Sequence, residues 1–303
     1  MAVNGVSANN LIRSIGMSNS SGQANASGAQ QLVQQLLQDI ERLLGAPDAS
    51  MSAPPAAAGI SGPAMTGSAG STASATGIGS AFPNGPGKVK LAGFGSLQLP
   101  SGSDGNVDTV GAGSLGNYSS QYFNHNANGS ITMTVPPGGG AHTAHSNFPR
   151  SELSESGSWK LSNGTSTLSA TTSVDKLPKS GDVVIGQIHQ KAGNAGKPRP
   201  PVELHYDKGN IVASVMDSNS PDAGRHNVTI AIGVKPGQKF SYSMQTQPDG
   251  KLTIAAAGQT KTVQLDSSFQ SSDLYFKAGN YCQDPSGGSQ VSFYGLNLSH
   301  GSN

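Results

Sequence analysis

From Phe94 onward the chain alternates apolar and polar residues in short runs. Ile131-Thr-Met133-Thr-Val135, Leu168-Ser-Ala170-Thr-Thr172-Ser-Val174, Phe240-Ser-Tyr242-Ser-Met244 and Leu252-Thr-Ile254 keep this period. A period of two sends successive side chains to opposite faces of a β-strand. Val183-Val-Ile185, Val202-Glu-Leu204, Ile211-Val-Ala213 and Val291-Ser-Phe293 read the same way. Asn128-Gly129, Asn163-Gly164, Lys208-Gly209 and Asp249-Gly250 supply turn chemistry between them, the last two joining neighbouring strands as hairpins. Many short strands with no helical period predict an all-β fold, a jelly-roll β-sandwich. A curved sheet of that kind would offer a concave groove for an extended polymer.

The N-terminal part follows another period. Leu32, Val33, Leu36, Leu37, Ile40, Leu43 and Leu44 form one stripe on a helix, with Gln and charged residues mostly elsewhere on the wheel. The spacing predicts an amphipathic helix over about 29–44, stopped by Gly45 and Pro47. Such a helix is marginal alone, so its stripe wants a partner. Ala49 to Gly87 carries no charge and is built mainly of Ala, Gly, Ser, Thr and Pro, which predicts a flexible linker. Two parts follow: a low-complexity segment 1–87, mostly disordered around its helix, and a β domain 88–303. This Gln/Ser/Ala/Gly-rich segment, without an aromatic before Phe82, resembles the N-terminal part of harpin-like proteins, which travel through type III secretion systems. That resemblance implies a secreted protein whose N-terminal segment contacts a membrane or the secretion machinery. Some harpin-like proteins carry a polysaccharide lyase domain behind such a segment.

Charge and cysteine content narrow the classes. Eighteen Lys and Arg against 17 Asp and Glu give a net charge of +1 without a basic run, so no nucleic acid partner is expected. A local excess of cations would still suit an anionic polysaccharide. The single cysteine, Cys282, excludes an internal disulfide, which fits a cytoplasmic protein and an exported one equally. The first residues have neither a basic region nor an apolar core, so no cleavable signal peptide is expected.

Three segments carry the candidate chemistry: Arg150-Ser-Glu152-Leu, Gln187-Ile-His189 and Tyr275-Phe-Lys277-Ala-Gly279-Asn-Tyr281-Cys-Gln283. In each the capable residues stand two apart and share one strand face, while Leu153, Ile188, Phe276 and Ala278 point into the core. Collecting Arg, Glu, Gln, His, Lys and Tyr on one face is costly for stability alone and points to a site. Singly, each has a plainer reading: Arg150 with Glu152 as an ion pair, His189 as a half-buried histidine, Tyr281 as packing. His142 and His145 lie in a Gly-rich loop with no third ligand, so no metal site is expected.

These blocks, extended to Phe148-Pro-Arg150-Ser-Glu152-Leu, resemble in sequence and order the signature blocks of polysaccharide lyase family 7, the alginate lyases. Leu97-Gln-Leu99-Pro100 and Val291-Ser-Phe293-Tyr-Gly-Leu296 add similarity at the two ends. The resemblance implies β-elimination on a uronate polymer with no cofactor. It gives Arg150, Gln187 and His189 the task of neutralising the uronate carboxylate, and Tyr281 with His189 the acid and base roles. Lys277, Glu152 and Gln283 become substrate-binding candidates, with Glu152 otherwise orienting Arg150. The Ile between Gln187 and His189 leans toward guluronate-containing substrates. Ser154 stands where the family usually has Arg, Cys282 where it has Asn, and Phe94-Gly-Ser96 lacks a common Trp. A lyase for another polyuronate such as glucuronan, and a non-catalytic polyuronate-binding or harpin-like helper protein, are the alternatives.

Overall fold

The computed structural model describes residues 85–191, 198–286 and 288–302. The helix expected over 29–44, and the linker as far as residue 84, lie outside the described residues. Two antiparallel sheets face each other. The larger runs edge to edge as β10 (Arg225–Ala231), β9 (Asn210–Met216), β8 (Val202–Asp207), β7 (Asp182–Gln190), β14 (Leu274–Cys282), β5 (Arg150–Glu155), β1 (Phe94–Ser103) and β2 (Asn106–Gly111). The smaller runs as β13 (Gln259–Gln264), β12 (Lys251–Ala256), β11 (Phe240–Thr246), β6 (Gly164–Lys176), β15 (Ser289–Ser302), β4 (Ile131–Val135) and β3 (Phe123–His125). Strands distant in sequence lie side by side, as in a jelly roll.

The alternating apolar positions meet between the sheets. Leu97, Leu153, Ile188, Phe276 and Ala278 come from the larger sheet, and Met133, Leu168, Met244 and Phe293 from the smaller; all are fully buried. Each large side chain so buried stabilises by about 1.5–3 kcal/mol. Polar clips join the layers. Tyr242 Oη donates to Ile185 O at 2.8 Å, and Asn280 Nδ2 donates to Met133 O and Ser289 O at 3.1 and 3.0 Å. Trp159 belongs to this interior: it is buried against Phe276, and its indole N–H donates to Glu155.

Hairpin chemistry is visible at Lys208-Gly209, where φ values of 50° and 90° close β8 onto β9 between the paired Asp207 and Asn210. Two consecutive positive φ angles match the right-handed strand twist. The alternating pattern did not reveal β2, β3, β10 or β13. These are the four edge strands of the two sheets, and β2 and β13 have no buried residue at all. A strand exposed on both faces needs no apolar side.

Candidate active site

The central ladder of the larger sheet puts the three sequence blocks side by side. β14 lies between β7 and β5, with Tyr281 opposite Arg150, Gly279 opposite Glu152 and Lys277 opposite Ser154. On its other edge Lys277 faces Gln187 and Tyr275 faces His189. Directly opposed residues share a face, so all these side chains leave the sheet on the side away from the core. β1 extends the row, since Gln98 stands opposite Glu152.

Gly279 makes this packing possible. A Cβ there would come within 2.6 Å of Glu152 Cα and 2.5 Å of Ser151 O, so only glycine lets β5 approach this closely. The pairing of β14 with β5 is continuous, whereas that with β7 slips between Ala278 and Tyr281. Such slips re-aim side chains, and Tyr281 is the residue placed just beyond this one.

Glu152 is the hub. Its carboxylate is fully enclosed and accepts from Arg150 Nη1 at 3.1 Å, from Gln187 Nε2 and from Lys277 Nζ. Lys277 Nζ also donates to Gln98 Oε1 at 3.1 Å. Burial alone would raise the Glu152 pKa, but the charges of Lys277 and Arg150 and the hydrogen bonds from Lys277 and Gln187 carry it below the usual carboxylate range. Burial, with repulsion from Arg150, pulls Lys277 down to about 8 against the attraction of Glu152. Two cations against one anion leave the cluster with one net positive charge. Arg150 Nε is buried without a hydrogen-bond partner, so the guanidinium is only partly satisfied by the protein.

Tyr281 and His189 flank the cluster. The Arg150 guanidinium carbon lies 3.7 Å from the centre of the Tyr281 ring, and the phenol oxygen is 2.9 Å from Ser146 Oγ. His189 stacks on Tyr275 with ring centres 5.2 Å apart. Burial, then the nearby Lys277 charge, lowers the imidazole pKa to about 4, so the ring is neutral near pH 7. Its Nδ1 lies 2.9 Å from Gln190 N and 3.0 Å from Gln190 O. The ring can therefore accept from the N–H or donate to the carbonyl, leaving Nε2 protonated in the first case and free in the second.

Arg150, Gln187, His189, Tyr281 and Lys277 all line one cleft of about 400 Å³ on the outer face of the larger sheet. Glu152 does not line it; enclosure leaves it the role of orienting Arg150, because a ligand reaches it only through its partners. Gln283 also lies outside the lining, beyond the end of β14, where its amide donates to Tyr281 O at 3.3 Å. Sequence reasoning passed over Ser146, Gln98 and Arg225, which line the same cleft, and left Tyr275, on the shared strand face, without a role. Tyr275 stood in register with Lys277 and was findable; Ser146 and Arg225 come from segments whose approach no local spacing announces. Cys282 is buried, and its thiol donates to Asp284 O at 3.5 Å. Among the described residues, no three of His, Cys, Asp and Glu stand close enough to hold a metal ion.

Comparison with known proteins agrees with the geometry. No curated protein matches the chain. The fold is similar to that of an alginate lyase from Pseudomonas aeruginosa, with a TM-score of 0.65 and 32% identity over 70% of this chain and 100% of that one. It is similar to alginate lyase A1-II′, a member of polysaccharide lyase family 7, with a TM-score of 0.64 and 29% identity over 72% and 100%. A variant of that enzyme, with a histidine and a tyrosine replaced, was solved in complex with the substrate GGMG; its TM-score is 0.61 at 29% identity, covering 72% and 97%. Residues 95–300 match the alginate lyase family model. The chain therefore belongs to the alginate lyases of polysaccharide lyase family 7 and is a polysaccharide lyase.

Proposed function

We propose that the cleft cuts alginate, or a closely related polyuronate, by β-elimination, with Arg150, Gln187, His189 and Tyr281 as its catalytic residues. The observation that carries this reading is their convergence on one cleft around a cluster of net charge +1. The C5 proton of a uronate is weakly acidic, and removing it builds a second negative charge on the carboxylate. Cations and hydrogen-bond donors fixed in advance at that carboxylate lower the barrier most. Arg150, Gln187 and a His189 carrying its proton on Nε2 provide them. Glu152 holds Arg150 and Gln187 in place, so little reorganisation is needed when the sugar arrives.

The electrons of the C5–H bond form the C4–C5 double bond, and the C4–O4 bond breaks toward oxygen. The Tyr281 phenol protonates O4 of the leaving chain. The C5 proton goes to Tyr281 when both groups lie on one face of the sugar. It goes to Nε2 of a His189 protonated on Nδ1 when they lie on opposite faces. The two hydrogen-bonding options of Nδ1 support both His189 roles. That a family 7 relative was solved with GGMG after replacement of a histidine and a tyrosine supports the same pair here. Incubation of the purified chain with alginate, polyguluronate, polymannuronate and glucuronan tests the reading. Ultraviolet absorbance from the unsaturated product should rise on alginate; no product on any of these polymers would overturn it.

A further inference from the structure

The loop 142–149, which leads into β5, brings one hydroxyl to the phenol of Tyr281. Both ends of this loop are anchored. Gly105 N donates to His142 O at 2.7 Å, and Cys282 N, next to Tyr281, donates to Pro149 O at 3.1 Å. Between them Ser146 N donates to Thr143 O at 3.0 Å, which closes a turn. The Ser146 hydroxyl accepts from Phe148 N at 3.1 Å and lies 3.2 Å from Phe148 O and 2.9 Å from Tyr281 Oη. A serine bound to the backbone two residues on is held in place by its own turn. Phe148 also meets the Tyr281 ring edge-on, with ring centres 6.3 Å apart. Ser146 and Tyr281 line the same cleft.

A hydroxyl has one proton to give and two lone pairs. Of the three neighbours of Ser146 Oγ, Phe148 N–H can only donate, Phe148 O can only accept, and Tyr281 Oη can do either. Two arrangements satisfy them. In the first, Ser146 donates to Phe148 O and the phenol donates to Ser146, so the phenol proton is committed to the loop. In the second, Ser146 donates to Tyr281 Oη and the phenol keeps its own proton free for another acceptor. Only the second can protonate a sugar oxygen, and it leaves a donor on the phenolate. Hydrogen bonds to an ionised oxygen are about twice as strong as those between neutral groups. The Ser146–Tyr281 contact therefore tightens as the phenol gives up its proton, and an interaction stronger in the transition state than before it lowers the barrier.

We propose that Ser146 is a positioning residue for the elimination: its hydroxyl donates to Tyr281 Oη, turns the phenol proton toward the leaving O4 and stabilises the phenolate that remains. The proposal rests on the reading of Tyr281 as the acid and deepens it. No bond of Ser146 is made or broken. The phenol proton passes to O4, which takes the electron pair of the C4–O4 bond, and the serine keeps its own proton, turned from Phe148 O to the phenolate. Where Tyr281 also takes the C5 proton, the same hydrogen bond holds the phenolate that receives it.

The experiment compares the full chain with Ser146→Ala and Ser146→Thr variants on alginate, and repeats Ser146→Ala in a Tyr281→Phe background. Ser146→Ala should lower kcat about 10- to 100-fold, the worth of one hydrogen bond to a charged group. KM and retardation in alginate-containing native gels should not change. Ser146→Thr returns the hydroxyl and should restore most of kcat. With Tyr281→Phe there is no phenol to serve, so Ser146→Ala should cost nothing further, as for residues that act as a unit. Unchanged kcat in Ser146→Ala would overturn the role. An equal loss with and without the Tyr281 hydroxyl would also overturn it, by assigning the effect to the turn at Phe148. Failure of the parent reading looks different: Tyr281→Phe alone then keeps wild-type kcat, or the wild-type chain makes no unsaturated product, and Ser146 loses its role with it.

Discussion

Arg150 and Tyr281 face each other across β5 and β14, with the guanidinium carbon 3.7 Å from the centre of the phenol ring. One contact thus fixes the group proposed to meet the carboxylate against the group proposed to protonate the scissile oxygen. A cation held over an aromatic face is worth about 0.5–2 kcal/mol, depending on how dry the pair is. Tyr281→Phe keeps that face and removes only the hydroxyl. We expect kcat to fall by at least about 100-fold, as for loss of a general acid, with retention on alginate gels unchanged. Arg150→Lys keeps the charge but not the planar stack, and should lose both turnover and polymer affinity. Initial rates of absorbance increase, beside gel retardation, separate the two outcomes.

Glu152 is tested through its partners. Glu152→Gln leaves Arg150 and Lys277 buried together without their counter-charge, and breaking a buried pair from one side costs about 3–5 kcal/mol. The midpoint of urea unfolding should fall accordingly, and turnover with it. Adding Lys277→Met removes one of the stranded cations. The double variant should then be more stable than the sum of the two single changes implies, as expected for residues in one network. Additive losses would mean that Glu152 does not hold the cluster together.

Most of the interior was legible because two-sided strands must alternate. Ile131 to Val135, for example, is β4 residue for residue. The edge strands β2 and β13 were not, since a strand wet on both faces carries no period to read. The grouping of the candidate residues was legible for a related reason. Arg150, Gln187, His189 and Tyr281 each sit two residues from another polar group, where a one-sided strand would place an active face. That spacing could not show depth. Glu152 and Lys277 look alike in sequence to residues that touch a ligand, yet one is wholly enclosed and the other is turned toward it. Ser146 was invisible because its partner, Tyr281, is 135 residues away.

Gly279 offers a test of packing apart from chemistry. Its missing side chain leaves the space into which β5 closes, and a methyl group there meets backbone rather than a flexible tip. Gly279→Ala should cost about 1–3 kcal/mol by overpacking, read as a lowered urea midpoint. Displacing Glu152 also loosens Arg150 and Gln187, so kcat should fall while the protein remains folded by far-ultraviolet circular dichroism. Wild-type stability with wild-type kcat would show that β5 and β14 can part here without consequence.

The buried cluster also sets a pH range. In the proposed mechanism the free enzyme's His189 must be neutral to act as base, and burial together with Lys277 lowers its pKa to about 4. Lys277 must be charged to leave the cluster cationic, and burial with Arg150 beside it lowers its pKa to about 8. Since kcat/KM reports free-enzyme ionisations, it should rise through about 4, stay level, and fall above about 8. A bound uronate carboxylate favours the charged form of both groups and raises both values, so the kcat profile should be displaced to higher pH at each limb. Lys277→Met has nothing to titrate on the alkaline side. Its kcat/KM should be lower throughout and flat across pH 8; an alkaline limb that persists in that variant would assign the ionisation to another group.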